Sequence, residues 1–329
     1  MSPLAQWHRL VRRLAHREAG TSLALFRAGI GAVVLGSLLH MAWADAVVPI
    51  WMDRDYGGVM NLRPRGWLGQ HLDAARPGVV WPLFWGAVTA SAALMVGVGG
   101  RLTALITLQL ALALFDLAPG TGGGHDKLLT NALWLLVLAP ATATLSVDCR
   151  LRTGAWQSDR PVAAWVRYVA VVQLCLVYGV TGIQKLGAEW MPWGGWSALY
   201  YSLLLPSWAR WDLTWIAHVY PLTQLATVVT WLWEVTFPVV LLCFWFRATR
   251  GRPGRLRHVA LKFDLRSVYA AVGVCLHLGI WATMNVGPFS WAALAWYVCL
   301  FHPDELAALA GRVRARRDRA AAAPAKPTG

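Results

Sequence analysis

The chain has 329 residues, of which 57% are hydrophobic and 14% charged, and it carries a net charge of +14. Soluble domains are typically about 45–50% apolar and about 25% charged, so this composition excludes an ordinary soluble enzyme and indicates an integral membrane protein. The positive charge does not indicate a nucleic-acid partner, because the basic residues lie between the hydrophobic runs, where they set membrane topology.

The sequence contains no motif of the common soluble chemistries. It has no phosphate-binding loop, dinucleotide fingerprint, nucleophile elbow or zinc signature. The five cysteines form no CxxC pair and four of them lie inside hydrophobic runs, so we predict packing residues rather than disulfides or metal ligands. The first apolar run lacks a small-residue cleavage site, which predicts that no signal peptide is removed.

Eight segments have the length, or nearly the length, of a membrane span, which takes about 20 mostly apolar residues. In chain order they cover residues 22–48, 79–97, 102–119, 128–147, 163–185, 221–246, 265–285 and 288–301. We therefore predict an all-α, polytopic bundle of about eight transmembrane helices over residues 22–302. A basic amphipathic N-terminus (1–21) precedes this bundle, and a basic tail (303–329), disordered at its end, follows it.

The basic residues predict the orientation of the bundle. If the N-terminus is cytoplasmic, 21 of the 30 Lys and Arg residues lie in cytoplasmic segments and seven in outer segments. This excess alternates from loop to loop, which predicts that both termini are cytoplasmic. The outer side then carries the tryptophan-rich segment 187–220, which we predict to be interfacial or re-entrant. Arginine greatly outnumbers lysine, which favours GC-rich coding and a bacterial plasma membrane.

Four ionisable residues within predicted spans or near their ends are the candidates for a functional site. They are Lys185, His125, Glu234 and His277. Each needs a partner or a function, because a charge in hydrocarbon is costly and such groups rarely face lipid. We therefore expect the four side chains to converge on one cavity in the outer half of the bundle.

Lys185 has two interpretations. It shares one helical face with Tyr178 and Thr181, where a desolvated lysine acts as a base because burial favours its neutral form. Alternatively its stem carries the ammonium out to the headgroups, beside Glu189, which lies one helical turn further along the chain. A close carboxylate partner would hold the ammonium charged and favour this structural interpretation.

The other three ionisable residues also have structural alternatives. Glu234 lies near the middle of its span, where pairing with Arg27 of the first span would satisfy it. His277 lies two helical turns before Asn285 and is either a cavity residue or a packed, hydrogen-bonded histidine. His125 follows a run of glycines at a helix start and has no metal-ligand spacing.

Two motifs at these residues resemble those of a known family. The string Val-Thr-Gly-Ile-Gln-Lys-Leu, followed by Glu-Trp, is similar to the segment of vitamin K-dependent gamma-glutamyl carboxylases that holds their proposed base lysine, which falls on Lys185. Gly-Gly-His before a Leu-rich helix resembles the Asn-Asn-His of the same family, whose histidine falls on His125. Bacterial relatives of these carboxylases are the horizontally transferred transmembrane (HTTM) domain proteins.

Weaker matches extend this resemblance along residues 22–301. The spacing of His277 and Phe289 is similar to a late His…Gly-x-Phe helix of the family, and Phe-Arg ending at Arg27 resembles its first helix. Glu234 stands where relatives carry an acidic residue. The chain departs from the pattern in two ways: glycines replace the Asn pair, and these residues predict no β-rich domain of the kind that holds the carboxylases' protein substrate.

The resemblance implies a carboxylase-like enzyme on the extracytoplasmic side, with a reduced, vitamin K-like quinone as cofactor and catalytic roles for Lys185 and His125. The residues implied to bind the cofactor or line the cavity are Tyr178, Glu234, His277, Asn285 and Arg27. A second interpretation, favoured by the length, is an SdpB-like maturation or docking factor for an exported peptide, working with an accessory protein. A third is a pathway for a small solute or protons. All three imply membrane lipid as a partner, and the first adds a small membrane-soluble substrate.

Reporter fusions test the predicted topology. Because the basic excess marks cytoplasmic loops, we expect fusions after Arg160 and Arg257 to report a cytoplasmic location. Fusions after Gly122 and Ser207 should report an extracytoplasmic one. Alkaline phosphatase and green fluorescent protein activities measure the two outcomes, and a cytoplasmic signal after Ser207 would contradict the eight-helix topology.

Overall fold

The computed structural model describes residues 4, 5, 7, 8, 11, 15–62 and 75–321. Its helices, in chain order, are α1 (Thr21–Trp43), α2 (Val47–Trp51), α3 (Pro77–Val96), α4 (Gly100–Leu117), α5 (Gly124–Leu138), α6 (Val147–Thr153), α7 (Trp165–Gln184), α8 (Ala198–Leu204), α9 (Tyr220–Thr236), α10 (Val239–Ala248), α11 (Arg255–Lys262), α12 (Leu265–Thr283), α13 (Phe289–Tyr297) and α14 (Pro303–Ala321). Two strands, β1 (Arg17–Ala19) and β2 (Pro161–Ala163), pair antiparallel. Much of the predicted amphipathic N-terminus and the end of the predicted tail lie outside the described residues.

The prediction of an all-α, multi-pass bundle is confirmed. Among the described residues, five helices are long and apolar enough to cross a membrane, namely α1, α3, α4, α7 and α12. A sixth candidate exists if Thr214–Thr236 and Val239–Ala248, bent by 52°, count as one span. Helix α5 has only 15 residues, and α13 with its 3-10 extension reaches only from Phe289 to Leu300. The count of eight spans therefore stays a prediction.

Prolines explain where two predicted spans differ from the observed helices. The helix predicted over 128–147 begins at Gly124 and already ends at Leu138. The next residue, Ala139, is extended with ψ of 144°, because Pro140 disfavours helical backbone in the residue before it. The helix predicted over 221–246 is broken between α9 and α10 by Pro238, whose ring clashes with the preceding turn and which lacks an N–H donor.

Two glycines allow close contacts between helix backbones. A Cβ on Gly31 of α1 would lie 2.6 Å from the backbone nitrogen of Met95 in α3, and one on Gly182 of α7 would lie 2.6 Å from that of Val235 in α9. Backbones in membrane bundles approach this closely only where the residue is small. The second contact sets α7 directly against α9 and brings the C-terminal end of α7 beside Glu234.

Hydrogen bonds gather the segments predicted to be cytoplasmic at one end of the bundle, called here the basic end (residues 15–22, 97–101, 139–164, 247–266 and 299–321). Ala164 N donates to His16 O at 2.9 Å. Gly99 N donates to Asp148 Oδ1 at 3.0 Å, and Ser22 Oγ donates to Phe301 O at 3.0 Å. These contacts place the segments on the same side, and the side of the membrane that the basic end faces stays a prediction.

The two arginines within predicted spans are both buried and bonded near this end. Arg27 donates to Leu94 O and Leu145 O, each at 2.7 Å, and so binds carbonyls where α3 and the loop after α5 end. Arg167 makes two hydrogen bonds to Glu18, at 2.6 and 2.7 Å. A buried guanidinium is tolerated only with such partners.

A cluster around Glu305 fixes the start of α14 to the basic end. Arg266 Nη2 donates to Glu305 Oε1 at 2.6 Å, His302 N donates to Oε2 at 2.8 Å, and Arg247 donates to the same carboxylate. Burial raises the pKa of Glu305, but the hydrogen bonds from Arg266 and His302 outweigh it and hold the pKa at about 2. The charged carboxylate is therefore the form that the folded protein binds.

The charge of Glu305 should make the stability of the folded protein depend on pH. Since its pKa falls from 4.5 to about 2 on folding, its contribution is fully present above pH 4.5 and disappears as the pH falls through about 2. We expect Glu305→Gln to lower the Tm at neutral pH and this difference to shrink below pH 4.5. Thermal unfolding in detergent measures it, with the exposed Asp159→Asn as control. A difference that stays constant across this range would contradict the assignment.

Candidate functional site

Lys185 and Glu234 form an ion pair between α7 and α9. The Lys185 ammonium donates to Glu234 Oε2, and the two side chains are 19% and 8% exposed. The ammonium also lies 4.3 Å from the ring centroid of Trp190, in cation–π geometry. The proposed pairing of Glu234 with Arg27 is therefore wrong, and Glu189 is not the partner of Lys185. A charged pair in this position favours the structural interpretation of Lys185.

A chain of three hydrogen-bonded side chains lies next to this pair. Tyr297 donates to Tyr178 Oη at 3.0 Å, and Tyr178 Oη lies 2.7 Å from His277 Nε2. All three side chains are buried. Tyr178 is thus committed to His277 and does not serve Lys185, while Thr181 donates to a carbonyl of its own helix, Val177 O, at 2.6 Å.

Tyr297 is a member of this chain that the sequence does not single out. It lies in the short apolar helix α13, where a tyrosine is ordinary. The one sequence signal for Tyr297 is its hydroxyl, since a buried Tyr O–H usually requires a hydrogen-bond partner. Here that partner is the hydroxyl of Tyr178. At the other end of the chain, His277 Nδ1 has no hydrogen-bond partner among the described residues.

Phe289 lies between this chain and His125. Its ring centroid is 5.5 Å from that of His277, and a Cβ on Gly124 would lie 3.7 Å from the same phenyl ring. Gly287, with a φ of +61°, turns the chain there, and its Cβ position is 3.6 Å from His125 Cε1. The four ionisable residues expected in one cavity thus occupy two adjoining places, Lys185, Glu234 and His277 on one side of Phe289 and His125 on the other.

His125 lines a cavity of about 690 Å³, called here the His125 cavity. Its walls come mainly from α1, α2, α4 and α5 and from the residues between the end of α12 and the start of α13. The lining is mostly apolar and includes Val33, Met41, Trp51, Leu114, Phe115, Trp281 and Trp291. Its polar side chains are His125, Asp126, Arg210 and Asn285, together with Ser37 and His40 of α1 and Thr121. A volume of about 300–1,000 Å³ with apolar walls and a few polar groups is typical of small-molecule sites.

Asp126 lies beside His125. In the first turn of α5, Asp126 Oδ2 accepts from Gly123 N at 2.8 Å, which is a favourable place for a carboxylate at a helix start. Its other oxygen lies 3.2 Å from His125 Nε2, so a carboxylate stands next to the imidazole ring.

Gly123 explains the departure from the family's Asn-Asn-His pattern. A Cβ at this position would lie 2.9 Å from His125 Nδ1 and Cε1. That distance is too short for a side chain without a shift of the imidazole. The glycine therefore permits the orientation of His125 seen here.

Arg210 is a cavity residue that the sequence identified only as an outer charge. Its backbone nitrogen donates to Thr283 O at 3.1 Å and its guanidinium to Met284 O at 3.3 Å. Nearby, Asn285 N donates to Trp208 O at 2.7 Å. These bonds hold the tryptophan-rich segment against the end of α12. Among the described residues no carboxylate pairs with Arg210, so its charge is available to a ligand.

Breaking the Lys185–Glu234 pair should destabilise the bundle. Removal of one partner of a buried pair leaves the other charge unsolvated and typically costs about 3–5 kcal/mol, whereas removal of both costs less than the sum. We expect Lys185→Met and Glu234→Leu each to lower the free energy of unfolding, the double variant to recover part of the loss, and Lys185→Arg to stay near the parent. Unfolding in mixed detergent micelles measures this, with exposed Lys127→Met as control. Strict additivity of the two losses would argue against the pair.

Comparison with curated proteins and with solved structures gave no match. The sequence profile of the HTTM domain matches residues 16–252, well over half of the chain. This range includes α1 to α10 and therefore Lys185, Glu234, Tyr178 and His125, while His277 and Tyr297 lie beyond it. The chain is thus a member of the HTTM domain family and a multi-pass membrane protein.

Proposed function

We propose that the chain binds a reduced, quinone-type lipid in the His125 cavity and that His125 accepts a proton from it. The observation that carries this proposal is the cavity itself, which combines mostly apolar walls with a histidine that has a carboxylate beside it. By the predicted topology the cavity lies in the extracytoplasmic half of a bacterial plasma membrane. The resemblance to carboxylases supplies the class of cofactor.

The residues present fit such a ligand. Trp51, Trp281 and Trp291 offer flat apolar surfaces for a ring and an isoprenoid chain. The volume of about 690 Å³ accommodates a bicyclic ring with a short tail. When bound, a hydroquinone supplies an acidic hydroxyl and two electrons.

Each polar residue around His125 would then have its own role toward the bound ligand. His125 accepts a proton, and the Asp126 carboxylate, 3.2 Å from its Nε2, stabilises the positive charge of the resulting imidazolium. The unpaired charge of Arg210 stabilises a negative oxygen in the same place. Asn285 adds a neutral donor and acceptor to the lining.

This proposal gives Lys185 a different role from the one that the resemblance implies. The ammonium is held by Glu234 and does not line the cavity. We therefore propose Lys185 and Glu234 as positioning residues. Their ion pair keeps α7 and α9 together next to the Tyr297–Tyr178–His277 chain. Proton abstraction by Lys185 itself stays a prediction, and it requires the ammonium to lose its partner first.

A docking function for an exported peptide is the second candidate. It is favoured by exposed tryptophans on the 187–220 segment, where Trp193, Trp211 and Trp215 are 77%, 64% and 57% exposed. Tryptophan is enriched at binding interfaces, and it is equally enriched at membrane interfaces. A maturation factor of the SdpB-like kind would use this surface with an accessory protein.

Filling the cavity tests the proposed function. Gly36 of α1 lines the cavity, and a Cβ there meets nothing within 4 Å. We expect Gly36→Phe to raise the Kd for a naphthoquinone with one isoprenoid unit by about tenfold or more, because the phenyl ring takes the ligand's place. Quenching of tryptophan fluorescence in detergent measures binding.

A matched control exists in α12. Gly279 is exposed, also meets nothing within 4 Å, and does not line the cavity. Gly279→Phe should bind the probe like the parent protein. Equal affinity in the two phenylalanine variants, or no saturable binding by the parent, would contradict the proposal.

A further inference from the structure

Helix α11 (Arg255–Lys262) carries an apolar stripe that the rest of the described chain leaves open. Leu256, Val259 and Phe263 are 78%, 45% and 60% exposed. Their spacing of three and four residues places them along one helical face. Ala260, one helical turn after Leu256, is only 5% exposed and contacts the bundle. The helix thus rests on the protein at Ala260 and presents the adjoining apolar residues outward.

A basic stripe runs beside the apolar one. Arg255, His258 and Lys262 repeat the same spacing one position earlier, and Arg250 and Arg252 precede the helix. All five are exposed. Within the described part of the chain, no carboxylate forms an ion pair with any of them.

Other arginines of the basic end differ in this respect. Arg247 and Arg266 bind Asp304 and Glu305. Arg257 donates to the carbonyls of Arg252 and Pro253 and lies 5.3 Å from the Phe246 ring centroid. These contacts hold the three arginines within the protein. The basic stripe has no carboxylate partner among the described residues, and its Lys262 ammonium lies 5.6 Å from the ring centroid of Phe263.

We infer that α11 is a membrane-surface helix that binds anionic phospholipid. Its apolar stripe enters the boundary between headgroups and acyl chains, and Arg250, Arg252, Arg255 and Lys262 contact the negative headgroups. The connections at both ends favour this occupant, because α10 ends at Ala248 and α12 begins at Leu265, so the helix is held close to where two apolar helices leave the bilayer. An acidic protein would match the charges but not the adjoining apolar stripe.

Hydrogen–deuterium exchange in lipid nanodiscs tests this inference, which does not depend on the proposed function. We expect amide exchange in residues 255–263 to be about tenfold slower with phosphatidylglycerol than with phosphatidylcholine alone. Replacing Arg250, Arg252, Arg255 and Lys262 with Gln should abolish the difference.

Two further variants separate charge from the apolar contact. The charge-conserving set, with the three arginines changed to Lys and Lys262→Arg, should keep the lipid effect. Phe263→Ser should weaken the protection even though all charges remain. Equal exchange in both lipids, or protection that persists in the Gln variant, would overturn the inference. Protection that depends on the number of chains per nanodisc would assign the surface to a second copy instead.

Discussion

The ion pair between Lys185 and Glu234 constrains the arrangement around it more than any other single contact. An ammonium and a carboxylate inside a membrane bundle lack water, so each requires the other. Gly182 makes the pair possible, because a side chain there would separate α7 from α9. With Lys185 committed to Glu234 and Trp190, the chain leaves α7 at a fixed point and enters the tryptophan-rich segment.

The consequence of this pairing is a division of the polar interior into two places. Tyr178 is released from Lys185 and joins His277 and Tyr297 in a buried chain. Phe289 separates that chain from the His125 cavity. The cavity therefore keeps mostly apolar walls with a few polar groups, His125 and Asp126 among them. Such a site suits an amphipathic ligand, because its apolar part packs against the walls and its polar part forms hydrogen bonds with the polar side chains.

The basic end shows two uses of the same residue type. Buried or half-buried arginines meet carboxylates or carbonyl oxygens and fix helix ends, as Arg167 does with Glu18 and Arg266 with Glu305. Exposed arginines before and within α11 have no carboxylate partner in the described chain. The net positive charge of the protein thus reflects both a topology signal and a surface that matches anionic lipid.

The sequence by itself determined the all-α membrane class and the family, because apolar runs and the Lys185 and His125 motifs are local patterns that need no knowledge of contacts. It also located most helix ends to within a few residues, although Pro140 and Pro238 divided two spans that hydropathy alone reads as continuous. Only the tertiary structure decided the partners. By position, Arg27 was a plausible partner for Glu234, and Glu189 was one for Lys185. In the structure Lys185 and Glu234 bind each other. Hydrophobic periodicity shows which face of a helix is buried, but it does not show which neighbour that face contacts. For the same reason, only the tertiary structure showed that Tyr297 and Arg210 belong to their sites, because α13 and the tryptophan-rich segment pack against helices that are distant in the sequence.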